Sequence, residues 1–311
     1  MINSDGGATI LGAPDRCWMC PKAWQDALTE AARLVMMARR RHWLKTNVHC
    51  RVAQFLAAAT LLVAGCASPP PAPVRHASDP DALWRIVTTH CLQAGPVPDD
   101  CAAVWPDPQR QAVVLKDNHG RFQYLLVPSV RVSGIEDPSL LQADAPNYFA
   151  SAWSARSFVA SALAQPLPRA YVSLALNSPH GRSQEQLHIH IDCLRPDVYA
   201  ALQREHDQIG PQWRALAEPL LGHVYLARTL PGDTLNDDPI RLLASAIPAD
   251  ASLRDYSLVV AGAQLDDGQP GFVLLATRQD AATGNRASGE ELQDHACGLV
   301  TGARKVLPGV R

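Results

Sequence analysis

Between positions 186 and 192 the chain reads Gln186-Leu187-His188-Ile189-His190-Ile191-Asp192, a strict alternation of polar and apolar residues. On an extended strand successive side chains face opposite sides. Leu187, Ile189 and Ile191 are therefore expected in the core, and Gln186, His188, His190 and Asp192 on the other face. Residues two apart on one face lie about 6.5–7 Å apart. Two imidazoles at that spacing, flanked by an amide and a carboxylate, suit a tetrahedral group such as a phosphate. Neutral imidazole is also a nucleophile near its ordinary pKa of about 6.5.

The same residues leave two other readings open. His188-x-His190-x-Asp192 resembles part of the His-x-His-x-Asp-His signature of metallo-β-lactamase-like hydrolases, although Cys193 stands where that signature has its final histidine. His206, His223 and His295 could add ligands, without ligand spacing. A non-catalytic periplasmic lipoprotein, using the polar face only to bind, is the other alternative.

The flanks narrow the choice. Gly181-Arg182-Ser183 followed by Gln186-Leu187-His188-Ile189-His190 resembles the signature of histidine-triad hydrolases and transferases, as do Leu115-Lys116-Asp117 and Tyr124–Pro128 their leading hairpin. Leu83-Trp84, Cys91 and Cys101, Asn177-Ser178, Gln184 and Cys193–Pro196 carry a nearer resemblance to bacterial CDP-diacylglycerol pyrophosphatases, from about residue 80 onward. That resemblance implies hydrolysis of CDP-diacylglycerol to CMP and phosphatidate through a nucleotidyl-histidine, with no metal or other cofactor. Counting from Gly181 and Ser183, the nucleophile falls on His188 and the third histidine on His190, and Gln186 occupies the first triad position. A two-residue slide makes His190 the nucleophile and puts Asp192 in third place. Asn177 and Ser183 match positions that resemble ribose and phosphate contacts, Asp117 resembles the nucleoside-side acid, and Arg182 offers positive charge.

The elements that must position these residues read as α+β: an antiparallel sheet with helices packed to one side, histidine-triad-like by resemblance. Helices are expected at 81–91, 147–163, 196–208 and 290–300. Hairpins are expected at 112–116 with 122–128 and at 256–263 with 271–277, and strands at 170–176 and 186–194. Tyr148, Phe149 and Trp153 suit the core better than an acyl-chain guide. Cys91 and Cys101 bracket a turn-rich stretch and are expected to pair. Cys193 and Cys297 pair only by elimination, which spacing cannot test.

The chain has 311 residues, 47% hydrophobic and 19% charged, with net charge −2. Residues 1–66 hold eight Lys/Arg and four Asp/Glu, whereas the remaining 245 hold 20 basic and 26 acidic groups. An acidic body argues against nucleic acid as a partner. Basic residues from Arg39 to Arg51, the eleven-residue apolar run Phe55–Gly65 and then Cys66 resemble a lipoprotein signal with Cys66 lipidated; an uncleaved anchor is the alternative. Residues 1–35 look superfluous to such a signal, with Met36 or Met37 as the start, so Cys17 and Cys20 receive no role. Residues 67–79 read as a Pro-rich tether and 80–311 as the catalytic body. The expected setting is periplasm-facing, at the bacterial inner membrane through the N-terminus, where a lipid substrate resides.

Overall fold

The computed structural model describes residues 79–93, 95 and 100–302. The export segment, Cys17, Cys20, Cys66 and all but the last residue of the tether lie outside the described residues.

Nine strands form one sheet: β1 Cys101–Trp105, β2 Ala112–Lys116, β3 Tyr124–Pro128, β4 Val172–Leu176, β5 Ile189–Cys193, β6 Arg214–Ala215, β7 Leu226–Pro231, β8 Tyr256–Gln264 and β9 Pro270–Arg278. Their order is β1-β2-β3-β5-β4-β8-β9-β7-β6, with every neighbouring pair antiparallel. Among the described residues five short to medium α-helices accompany the sheet: α1 Ala82–Ile86, which runs on into a π-helical turn Val87–Cys91, α2 Tyr148–Leu163, α3 Pro196–Glu205, α4 Pro239–Ala244 and α5 Gly298–Thr301. The architecture is α+β, as the hairpin pattern implies.

Helix α2 forms between a good cap and a forced stop. The Asn147 side chain accepts from the Ala150 amide at 3.0 Å, and Ala164 turns left-handed at φ 53°. Ala152 and Ala155 let the helix lie close on the sheet, where Phe149 and Trp153 are buried with Leu126, Leu174, Ile189, Ile191, Leu258 and Val260. Tyr148, Phe149 and Trp153 thus belong to the core. Close approach also explains Gly262: a Cβ there would sit 2.2 Å from the Arg169 carbonyl oxygen and 2.7 Å from the Trp153 ring.

The opposite sheet face is covered in two separate patches. Helix α1 and its π-turn bury Leu83 and Val87 against Val113, Leu115, Leu125 and Val127. Helix α3 buries Val198, Ala201 and Leu202 against Ala175, Val259, Ala261, Val273 and Leu275. Helices on one side only is therefore corrected: hydrophobic strand residues alternate to both faces, so both need cover. Register decides what lies between the patches. His190 stands opposite Leu125 of β3 and Ala175 of β4, one from each patch. The strand expected at 186–194 is shortened to β5, so His190 and Asp192 lie on it whereas Gln186 and His188 precede it; the polar side chains of this run occupy the interval between two small cores.

The expected helix at 290–300 is also corrected. A 3-10 turn Gly289–Leu292 is followed by an irregular segment and then α5. Gln293 bridges to Leu194, the Asp294 amide donates to the Cys193 carbonyl at 2.8 Å, and Cys297 is left-handed at φ 51°. These tertiary links hold the segment along β5 in place of helical hydrogen bonds. Cys297 is disulfide-bonded to Cys193, and Cys91 to Cys101, with Cα separations of 5.2 and 5.7 Å.

Candidate active site

A cavity of about 630 Å³ opens over β5 between the two patches. Its apolar wall includes Ala82, Leu83, Ile86, Leu115 and Leu125; its polar wall includes Asn177, Arg286, Glu290 and His295. His188 and His190 lie between, only 7% and 6% exposed. Their rings meet edge to face with centroids 4.9 Å apart.

The two imidazoles are held differently. His188 Nδ1 donates to the Gln186 carbonyl at 2.7 Å, because a carbonyl can only accept. Its Nε2 therefore carries the lone pair and makes no hydrogen bond among the described residues. His190 Nδ1 accepts from Gln123 Nε2 at 2.6 Å, which leaves the proton on Nε2. That Nε2 is buried and has no partner among the described residues. Burial holds both rings below the ordinary histidine range, His190 further because His188 adds its own repulsion.

A polar network from distant parts of the chain surrounds them. Glu290 Oε1 accepts from Gln123 at 3.2 Å and lies 3.3 Å from His190 Nδ1. Asn177 Oδ1 accepts from the Glu290 amide at 3.1 Å. His295 Nδ1 pairs with Asp192 Oδ2 at 2.6 Å, which lifts the imidazole above its ordinary range.

Six of the eight residues to which the sequence assigns catalytic or substrate-contacting roles line the cavity: Asp117, Asn177, Arg182, Ser183, His188 and His190. Asp117 Oδ1 accepts from the His119 amide at 2.9 Å, beside the cavity. Ser183 is exposed, with no hydrogen-bond partner among the described residues. Gln186 and Asp192 do not line it. Gln186 is fully buried, donating to the Pro128 and Val130 carbonyls at 3.2 and 2.9 Å and accepting from the Val132 amide, so it clamps backbone in place of contacting a ligand. Asp192 is fully buried beneath His295. Arg182 is a further correction as a charge donor. Its guanidinium is bound to both oxygens of Glu136 at 3.0 and 2.6 Å and to Glu185 at 3.0 Å, which neutralises it. Lys116 is likewise engaged by the carbonyls of Asp117, Gly120 and Gln123.

Sequence reasoning missed Gln123, Arg286 and Glu290, and placed His295 only among spare metal ligands. None carries a local spacing signal. Arg286 is exposed at the cavity, with Nε donating to the His180 carbonyl, and replaces Arg182 as the guanidinium facing the site. The metal-hydrolase alternative needs convergent ligand atoms. Among the described residues, His188, His190 and Asp192 do not bring three such atoms within 4.8 Å of one another. The triplet Asp192, Cys193 and Cys297 does, but its sulfurs are in a disulfide.

Residues 78–301 match the family described as CDP-diacylglycerol pyrophosphatase. The chain belongs to this family. A Yersinia pestis protein named CDP-diacylglycerol pyrophosphatase is 43% identical over 225 residues, which is 71% of this chain and 85% of that protein. The family match contains every cavity-lining residue, from Ala82 to His295.

Proposed function

We propose that this protein hydrolyses the pyrophosphate bond of CDP-diacylglycerol, releasing CMP and phosphatidate, with His188 as nucleophile. The observation that carries this reading is the 2.7 Å hydrogen bond from His188 Nδ1 to the Gln186 carbonyl. It fixes the tautomer so that Nε2 presents its lone pair to the cavity chemistry, and burial keeps the ring unprotonated. His190 is unsuited to attack, since its Nε2 carries hydrogen. That unmatched N–H instead suits a phosphoryl oxygen.

In the first step His188 Nε2 attacks the phosphorus that bears cytidine, and the bond to the bridging oxygen breaks, expelling phosphatidate. Water then attacks the cytidylyl-histidine, releasing CMP and restoring His188. His190, Ser183 and Arg286 stabilise the equatorial oxygens. Asp117 and Asn177 serve the nucleoside side. The apolar wall formed by Leu83, Ile86 and Leu125 suits the glycerolipid side. The fold is read as histidine-triad-like on the strength of the resemblance. The N-terminal basic and apolar segment, with Cys66, supports export and attachment at the periplasmic side of the inner membrane. Among the described residues no helix is long and apolar enough to cross a membrane.

Purified full-length protein in detergent, mixed with CDP-diacylglycerol with and without EDTA, tests the reading. CMP release unaffected by EDTA is expected, and rapid quenching should trap cytidylyl mass on His188. EDTA-sensitive turnover would favour a metal hydrolase, no turnover a binding lipoprotein, and label on His190 the two-residue slide.

A further inference from the structure

Three histidines meet at this cavity, and only two belong to the alternating run, His190 on β5 and His188 just before it. His295 comes from the irregular segment that follows the 3-10 turn Gly289–Leu292. Its position is strongly built. Asp192, fully buried on β5, holds Nδ1 at 2.6 Å. Two residues beyond, Cys297 is covalently tied to Cys193, the neighbour of Asp192. The Gln293 side chain donates to the carbonyls of Ser173 and His190 at 2.9 and 3.2 Å, so the segment is fastened on both sides of His295. At Gly120 a Cβ would stand 2.8 Å from Gln123 Oε1 and 3.3 Å from His295 Nδ1, so glycine lets the hairpin loop close over both. His295 Nε2 remains open toward the cavity: the nearest carboxylate oxygen, Glu290 Oε1, is 3.8 Å away, and the side chain is 40% exposed.

A buried carboxylate that orients an imidazole whose other nitrogen faces a reaction cavity is the arrangement of a general acid–base. Gln186, at the first triad position, is fully engaged with backbone and cannot serve as the nucleophile's partner in proton transfer. Resting on the His188 reading above, we propose that His295 protonates the departing phosphate and then takes a proton from the attacking water. As the P–O bond breaks, its electron pair goes to the bridging oxygen, which receives the Nε2 proton, and phosphatidate leaves. Neutral His295 then accepts one proton of the water that attacks the cytidylyl-histidine. The products are CMP and phosphatidate, His188 is free again, and His295 is protonated as at the start.

The electrostatics separate the three rings in the required sense. Burial lowers His188 and His190, whereas Asp192 raises His295, so one ring is a base and another an acid at the same pH. The ionisable groups around His295 are Asp192, Glu290, Asp117 and His190, with Lys116 and His119 on the same cavity.

Steady-state kinetics of full-length protein on CDP-diacylglycerol across pH tests this assignment. His295→Gln should lower kcat by about 10²–10⁴-fold, leave KM within about threefold, and remove the alkaline limb of the profile. Asp192→Asn should move that limb to lower pH, because the carboxylate that stabilises the charged imidazole is gone. A His295→Gln enzyme with wild-type kcat, one that loses activity with the alkaline limb intact, or an unmoved limb in Asp192→Asn would each overturn the proposal. Wild-type protein without turnover, or an active His188→Ala, would instead remove the underlying reading. An inactive His188→Ala beside an unaffected His295→Gln removes only the role of His295.

Discussion

The two faces of the 186–193 segment, which ends in β5, are almost equally inaccessible, yet they are built on opposite principles. Leu187, Ile189, Ile191 and Cys193 are all fully buried against the core beneath α2, apart from the Cys193 bridge, and need only shape and apolar contact. Gln186, His188, His190 and Asp192 are 0–7% exposed as well, but each requires named hydrogen-bond partners. These come from Gln123, His295 and the carbonyls of the 128–132 segment and of Gln186 itself. Burial by itself thus does not distinguish a core face from a chemical one. The chemical face is recognised by polar atoms that the fold leaves open: His188 Nε2, His190 Nε2 and His295 Nε2. Of these only His190 Nε2 is buried and unmatched among the described residues, a costly arrangement and therefore an informative one.

Breaking each face separately should give opposite phenotypes. His188→Ala is expected to lower turnover by about 10⁴-fold or more, the scale seen when a covalent nucleophile is removed, while the thermal midpoint stays near wild type. Ile189→Ala, one residue away, should lower stability by about 2–5 kcal/mol in chemical denaturation, with the remaining folded protein still turning over.

The two disulfides extend the contrast. Cys91 and Cys101 lie 10 residues apart and staple α1's turn beneath the apolar patch. Replacing both by serine should cost about 2–3 kcal/mol in the chain-entropy picture, measured by denaturant titration, with kcat unchanged when the protein is folded. The same double replacement at Cys193 and Cys297 should lower kcat as well, because it frees the segment that carries His295.

The smallest effect is a pH response. His188 and His190 are held below the ordinary value of about 6.5, so the acid limb of kcat/KM should fall below pH 6.5 and drop about tenfold per unit. Stability follows the same sign. The unfolded chain binds protons at these sites that the folded one rejects, so their contribution is present above about pH 6.5 and is lost as pH falls toward the folded values. His295, raised by Asp192, contributes in the opposite sense, so the check is made in His295→Gln, where a thermal midpoint indifferent to pH between 7 and 5 would contradict the burial of neutral rings.

The most local features were legible in the chain. Alternation at 186–192 placed the paired histidines together, because the side-chain period of an extended run needs no tertiary information, although only Ile189–Cys193 forms the expected strand and His188 lies just before it. Pro, Gly and Asn punctuation gave the hairpins at 112–128 and 256–277 and both ends of α2. The Cys91–Cys101 pair followed from a short turn-rich interval. Hidden features depended on the sheet register. Gln123 meets His190 across 67 residues, and His295 meets Asp192 across 103. Arg182 and Arg286 carry the same charge in sequence, but Glu136, 46 residues from Arg182, neutralises it and leaves Arg286 facing the cavity. The run 290–300 has helical spacing, yet its pairing with β5 and the Cys193–Cys297 bond outweigh the helical hydrogen bonds it forgoes.

By itself, then, the sequence determined that an alternating run would bring two histidines together, within an α+β body and next to a Gly-x-Ser loop. Tertiary structure decided which nitrogen keeps its lone pair, which arginine stays unpaired, and that a third histidine joins them. The reason is physical. Alternation and turn chemistry are properties of neighbouring residues, whereas tautomer, charge pairing and burial depend on which distant atoms the sheet brings within 3 Å.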